Sequence, residues 1–401
     1  MASCIARLYI MSLIDRILKG LEERRNKVLN GDINCIPTPF GRLGNSFPGI
    51  ERDKYYLLSG STKGGKTQVS NFLFVYTPIM YAYRHPEQLR VKIFYFPLEE
   101  TPENITLRFM SYLLYTMSGM KVRVSPMDLK STDSSKVLDK EVLELLRSEE
   151  YQKILQFYEE NVLFLTERHP TGIYTAVRDY AYKNGTIHRK KVKITNKETG
   201  NVQEVEAFDY YEPFDEKEYV IVMTDHVGLL NQESGLSLRE TINKYSEYMM
   251  ILRNKFHYTL VAVQQQSMET NNLEAFKSNK IRPTMAGLAD SKGPGKDCTV
   301  MLGITNPFSF ELPEYLGYDI SRLRGNARFL EITLNREGQS NDIAPLYFDG
   351  ATNYFTELPS PKDSLSMQKV YDLIAKQKAV GKTFLAVTLN KMRNYLFRWN
   401  V

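Results

Sequence analysis

The chain has 401 residues, 42% of them hydrophobic and 25% charged, with a formal net charge of +5. That length suits one large α/β domain or two smaller ones, and that apolar content excludes wholesale disorder. Three scattered cysteines (Cys4, Cys35 and Cys298) exclude a disulfide framework or a cysteine-based zinc site, and no apolar run approaches the roughly 18 residues of a membrane span. The first residues, interrupted by Arg7, carry no small-residue cleavage pattern, so a soluble intracellular protein without a signal peptide is expected.

In chain order, the apolar spacing predicts an amphipathic helix over Leu13–Leu29, ended by Asn30-Gly31. A turn-rich stretch with Pro37, Pro39, Gly41, Gly44, Pro48 and Gly49 follows, and then a short strand, Tyr55–Leu58. After a glycine-rich loop a helix begins near Gln68, then a buried strand Val91–Phe96 and a helix from Pro102. Glu141–Glu160 reads as one helix, Val162–Leu165 as a strand and Ile173–Lys183 as a helix. Between Gly185 and Lys217 alternating residues around Thr199-Gly200-Asn201 predict a hairpin insertion. Strands follow at Tyr219–Met223, Thr259–Val263, Thr299–Ile304, Phe329–Leu334 and Ala344–Phe348, with a helix over Leu238–Lys255. Buried strands alternating with helices predict a mostly parallel sheet covered on both faces.

The charge is uneven. From Pro361 onward stand Lys362, Lys369, Lys376, Lys378, Lys382, Lys391, Arg393 and Arg398 against only Asp363 and Asp372. A second basic cluster is Arg189, Lys190, Lys191 and Lys193. Such clusters attract phosphate backbones, and equally they form solvated faces of helices or hairpins.

Gly60-Ser61-Thr62-Lys63-Gly64-Gly65-Lys66-Thr67 fits G-x-x-x-x-G-K-[ST] and lies between a strand and a helix. The glycines let the backbone curl so that successive N–H groups face phosphate oxygens, and the helix N-terminus adds partial positive charge. Lys66 is the cation for the phosphates, and the Thr67 hydroxyl is placed to ligate Mg2+. Lys376–Thr383 also ends in Gly-Lys-Thr, but it lacks the first glycine and a preceding strand, so it is rejected as a second site. A phosphate loop needs an acid at the end of a neighbouring buried strand to hold the magnesium water shell, and Asp225 is placed for it. Glu99 and Glu100 end another strand; one can polarise an attacking water while the other caps the helix near Pro102.

The order of motifs resembles the RecA-fold motor domain of DnaB-type replicative helicases, over nearly all of residues 13–358. The segment Gly31–Leu43, with a proline where a glycine is usual, is similar to the family's approach to its first strand. Pro97-Leu98-Glu99-Glu100, with Arg108 nine residues on, resembles the leucine–glutamate motif, which implies that Glu99 is the catalytic acid. Asp225-His226-Val227-Gly228 stands at the Walker B position, and Leu260–Gln265 matches the strand whose terminal glutamine, here Gln265, senses the γ-phosphate. Arg282–Ser291 through Leu302 resembles the fourth motif. Leu334-Asn335-Arg336 falls where the family carries a lysine–x–arginine pair, which implies Arg336 as an arginine finger.

The resemblance implies an α/β, RecA-like P-loop NTPase core over 32–358, with the hairpin insertion at about 185–217, a linker helix over 1–31 and a basic tail over 359–401. It implies a ring, six-membered in the family, with ATP or another NTP and Mg2+ bound between subunits and single-stranded DNA in the channel. Translocation would run 5′ to 3′ in the cytoplasm of a bacterial or phage-infected cell. The nucleotide would be held by Gly60, Ser61, Thr62, Lys63, Gly64, Gly65, Lys66, Thr67 and Asp225. Lys277, Lys280 and Arg282, in the polar loop before the fourth motif, are candidates to hold DNA phosphates. Two departures stand out. Leu334 replaces the second trans-acting cation. The linker helix also begins almost at Met1, so the family's primase-binding N-terminal domain is expected to be absent and primase recruitment by the usual surface is not expected; the resemblance still implies replication partners such as a primase or a loader. The size and the 26 tyrosines fit a phage or mobile-element replication protein. The competing readings are a RecA-fold DNA-dependent ATPase for recombination, loading or packaging that does not unwind, and a nucleotide-binding regulatory protein.

Overall fold

The apolar strands are hydrophobic at successive positions, so neither of their faces can be left to water. In Tyr55–Gly60, Tyr56 and Leu58 point into one core and Tyr55 and Leu57 into another. Arg90–Pro97 divides in the same way, with Val91, Ile93 and Tyr95 on the first face and Phe94 and Phe96 on the second. Side chains alternate with period two, so strands of this kind need helices on both sides. The computed structural model, which describes residues 13–132, 134, 137–195, 202–267 and 281–379, has that architecture.

Among the described residues the central sheet has nine strands. Their order is Tyr354–Glu357, Ile343–Asp349, Ala327–Asn335, Val300–Thr305, Tyr55–Gly60, Thr259–Gln265, Glu218–Asp225, Arg90–Pro97 and Val162–Phe164. The six from Val300–Thr305 to Val162–Phe164 run parallel, and the other three are antiparallel. The chain is therefore α/β, with a mostly parallel sheet flanked by helices. One face is covered by the run Lys66–Arg84 and the helices Pro102–Met117 and Glu149–Asn161, the other by Pro170–Lys183 and Leu238–Phe256.

Local chemistry sets the boundaries. The helix Leu238–Phe256 starts at a reciprocal Ser237–Glu240 capping box and ends at His257 in the left-handed conformation. The expected single helix over Glu141–Glu160 is two, Lys140–Arg147 and Glu149–Asn161, because Ser148 is extended (ψ 150°). The helix expected from Gln68 already starts at Lys66, so the lysine stands in the first turn.

The hairpin insertion pairs Gly185–Thr195 with Val202–Pro213; the bend around Gly200 lies outside the described residues. Its basic strand faces an acidic one. Lys190 pairs with Asp209 at 2.9 Å, Lys191 lies 3.9 Å from Glu204, and His188 contacts Glu212 at 2.8 Å. Two of the cluster's four cations, Lys190 and Lys191, thus meet acids of the partner strand, which favours the solvated-hairpin reading. After Pro361, Ser364–Ala379 is a helix. It lays Met367 and Ile374 against Leu323, Phe329, Tyr347 and Leu358. The rest of the basic segment lies outside the described residues. No described helix is long and apolar enough to cross a membrane.

Candidate active site

Strand register gathers the motif residues. Gly60 is level with Gln265 on one neighbour and Ile304 on the other. Asp225 is level with Val263 and Pro97. Parallel strands end on one edge, so the phosphate loop, Asp225, Glu99 and Gln265 all open there.

The loop has little room for side chains. A Cβ on Gly60 would lie 2.6 Å from the Ile304 carbonyl oxygen, and Gly65 has φ +99°. The Gly64 amide donates to the Ser61 carbonyl at 3.0 Å, and Asn306 Nδ2 donates to the Lys63 carbonyl at 3.3 Å. Thr62 and Lys63 are exposed, whereas Ser61, Gly64, Gly65 and Lys66 are buried. Lys66 Nζ donates to the Ser61 carbonyl at 2.9 Å, folding its ammonium back over the loop. Burial lowers the Lys66 pKa, while the charges of Asp225 and Glu99 act in the opposite direction.

Asp225 is 3% exposed. Burial pushes its carboxyl up to about 7; the Thr67 hydroxyl opposes this, the Glu99 charge adds to it and Lys66 counteracts it. One of its oxygens, Oδ1, is buried with no hydrogen-bond partner. An orphaned carboxylate oxygen beside a threonine hydroxyl fits Mg2+, which takes one or two protein ligands and completes its shell with water and phosphate. Thr67 and Asp225 would supply those ligands. No cluster of three His, Cys, Asp or Glu that could hold a metal without a substrate is present among the described residues.

Glu99 and Glu100 have different surroundings. The Leu98 and Glu99 amides donate to the Asp225 carbonyl at 2.7 and 3.3 Å, which ties the two strand ends together. The half-exposed Glu99 carboxylate lies 3.9 Å from His226 Nε2. Glu100 pairs with Arg108 at 2.9 Å. Neither caps the next helix, a correction to the sequence reading: the Thr101 side chain does so, accepting from the Asn104 amide at 3.3 Å. Of three successive glutamines, Gln264 is spent on the Ala289 and Ser291 carbonyls and Gln266 on Ser59 and the Thr284 carbonyl. Gln265 turns to the site, its Nε2 donating to His226 Nε2 at 3.2 Å.

His226 is the residue the sequence reading missed. Its Nε2 accepts from Gln265 and lies near, but beyond hydrogen-bond reach of, the Glu99 carboxylate; it is 8% exposed, and burial lowers its pKa. Its position after Asp225 was visible, but its place between the Glu99 and Gln265 side chains depends on the register of three strands.

Arg336 is elsewhere. Asn335 is level with Val300, at the start of the strand whose Ile304 is level with Gly60. That separation is roughly 13 Å at about 3.3 Å per residue. Its guanidinium donates to the Cys298 carbonyl at 2.9 Å and to the Lys296 carbonyl. Leu334 is packed at the margin of the second core. Arg282 Nε lies 3.7 Å from the buried Glu331 carboxylate; Lys277 and Lys280 lie outside the described residues.

Neither a family model nor a curated protein matches this sequence. Solved structures do. A DnaB-like replicative helicase, solved together with its interactions with primase, superposes with a TM-score of 0.58 at 14% identity, over 87% of this chain and 67% of that one. A separately solved ATPase domain gives 0.57 at 15% identity, covering 87% of this chain and 100% of that one. At these identities the likeness is one of architecture: the chain has the RecA-like fold of DnaB-type ATPase domains.

Proposed function

We propose that the chain is an NTP-hydrolysing motor of the DnaB-like type, working as a ring, six-membered by analogy, that moves on single-stranded DNA and separates duplex ahead of it. The observation that carries this reading is the buried Asp225 with its orphaned oxygen, seated between the Thr67 hydroxyl and the Glu99 strand end at the mouth of the phosphate loop.

The loop amides and Lys66 hold the triphosphate. Thr67 and Asp225 would hold Mg2+, which when bound would supply charge neutralisation to the phosphates. Glu99 takes a proton from a water that attacks the γ-phosphorus, and the bond to the β–γ bridging oxygen breaks. Gln265 contacts the γ-phosphate, and His226 keeps base and sensor at a fixed spacing.

Two observations favour assembly. Arg336 is at the far edge of its own sheet, so a loop that it serves belongs to a neighbouring copy. Helix Leu13–Leu29 presents Ile14, Ile17, Leu18 and Leu21, 68, 52, 59 and 58% exposed, at the i, i+3, i+4, i+7 spacing of one apolar stripe. A second copy is the occupant this reading gives it. The likeness to a helicase that interacts with primase makes a primase or loader a candidate partner. One observation favours an ATPase that does not unwind, or a regulatory role: Leu334 supplies no charge to the seam.

A forked-duplex assay with ATP tests the proposal. Wild type should displace the strand with 5′-to-3′ polarity, and Lys66→Ala and Arg336→Ala should each abolish it. A mixture of the two variants should recover activity, because intact halves then meet at some seams. DNA-stimulated hydrolysis without displacement would replace the motor reading by the non-unwinding ATPase. Absence of Glu99-dependent turnover would leave only a regulatory role.

A further inference from the structure

The strand Ala327–Asn335 returns antiparallel to Val300–Thr305. Its first residues therefore come back to the edge where the phosphate loop opens. Arg328 stands there, 6% exposed. A Cβ on Gly65 would lie 3.0 Å from Arg328 Nε, so the guanidinium rests on the last glycine before Lys66.

Few groups compensate this charge. Nη1 donates to the Gly325 and Ala327 carbonyls at 2.8 and 2.7 Å, and the guanidinium carbon lies 5.1 Å from the centre of the Phe348 ring. Nε is buried and donates to nothing. No carboxylate pairs with Arg328 among the described residues. Burial pulls its pKa down to about 10 with no opposing charge, and the group still keeps its proton at neutral pH. Desolvating a cation without a counter-ion is costly, and a neutral isostere would pack at that position more cheaply. A planar donor fork matches phosphate oxygens.

We propose that Arg328 is a second cation of the nucleotide site, acting in cis: the phosphate chain of the bound nucleotide is its counter-ion. This rests on the reading of Gly60–Thr67 as a nucleotide loop. Lys66 approaches the phosphates from the helix side, and Arg328 approaches from the antiparallel strands across Gly65.

The test measures ADP and adenosine binding to the full chain by calorimetry, with Mg2+, for wild type, Lys66→Ala, Arg328→Met and Arg328→Lys. Arg328→Met should weaken ADP by roughly 10- to 100-fold, the range of a hydrogen bond to a charged group, and leave adenosine unchanged. Arg328→Lys should lie between, since it keeps the charge and loses the fork. Without nucleotide, the melting temperature of Arg328→Met should equal or exceed the wild type's, because an uncompensated charge has gone. ADP affinity within about twofold of wild type in both Arg328 variants overturns the proposal and leaves Arg328 as a prop for the loop. If Arg328→Met does not fold, Arg328→Lys with unchanged ADP affinity overturns it equally. Failure of the wild type to bind ADP in a Lys66-dependent way overturns the nucleotide-loop reading as well.

Discussion

Glu331→Gln should stabilise the protein in a pH-dependent way. Glu331 lies mid-strand in Ala327–Asn335, level with Gly303, and is 6% exposed. Its Oε1 has no partner, and Arg282 reaches Oε2 only at 3.7 Å from a side chain 39% exposed. Burial raises its pKa from 4.5 to about 7, with Arg282 pulling the other way. A raised folded-state pKa means that the folded chain holds a proton that the unfolded chain has lost. Its contribution is fully present below about pH 4.5 and is lost as pH rises through 7. Glutamine mimics the protonated acid and loses nothing. At about 1.4 kcal/mol per pH unit, the variant's advantage should be near zero at about pH 4.5 and at most about 3 kcal/mol at about pH 8. Urea unfolding at about pH 5.5 and about pH 8 should show an advantage that grows by about 2 kcal/mol between them. An advantage that does not change with pH, or a variant less stable at the higher pH, would refute the assignment of a buried, under-compensated carboxyl.

His226→Ala should lower kcat by about 10- to 100-fold while leaving the ATP dissociation constant within about threefold, because base and sensor lose their spacer but the loop is intact. Single-turnover hydrolysis with separate binding titrations checks it; equal losses in both would make His226 merely structural. Arg123→Ala removes a bidentate partner, at 2.7 and 2.8 Å, from the fully buried Asp349. A buried carboxylate left without its partner should cost about 3–5 kcal/mol in urea unfolding. Ile17→Asp with Leu21→Asp should shift the chain from oligomer to monomer in sedimentation without changing its circular dichroism. An unchanged assembly would remove the helix Leu13–Leu29 from the seam.

The sheet was legible because its strands are apolar on both faces and separated by helix-length segments, so period and length agreed from Tyr55 to Phe348. The turn between Tyr55–Gly60 and the helix from Lys66 was legible because one contiguous glycine-rich string carries it. What the string could not show was anything that depends on two strands at once. Within the basic cluster, Lys190 and Lys191 are answered by Asp209 and Glu204 only once the hairpin sets their register. The break at Ser148 leaves both flanking segments helical, so periodicity runs straight through it. The edge strand Tyr354–Glu357 was too short to stand out, and it exists because Ile343–Asp349 offers it a partner.

The antiparallel strand Ala327–Asn335 has a consequence that no parallel strand could have. It carries Arg328 at the edge with the phosphate loop and leads to Arg336 at the opposite one, so a single stretch of chain presents a cation to each side of the sheet. Residues 328 and 336 are separated by roughly 25 Å of extended chain, at about 3.3 Å per residue. No arginine side chain spans that, so the two cannot meet on one nucleotide within one chain. If both act on phosphate, Arg328 serves its own loop and Arg336 serves a neighbour's. The Arg336 guanidinium now sits on the Cys298 and Lys296 carbonyls, neutral acceptors that a phosphate oxygen would outcompete. If Arg336 does serve a neighbour's phosphates, exchange of those partners would carry the occupancy of that site to the start of the Val300–Thr305 strand, since the Arg336 amide also donates to the Thr299 carbonyl there.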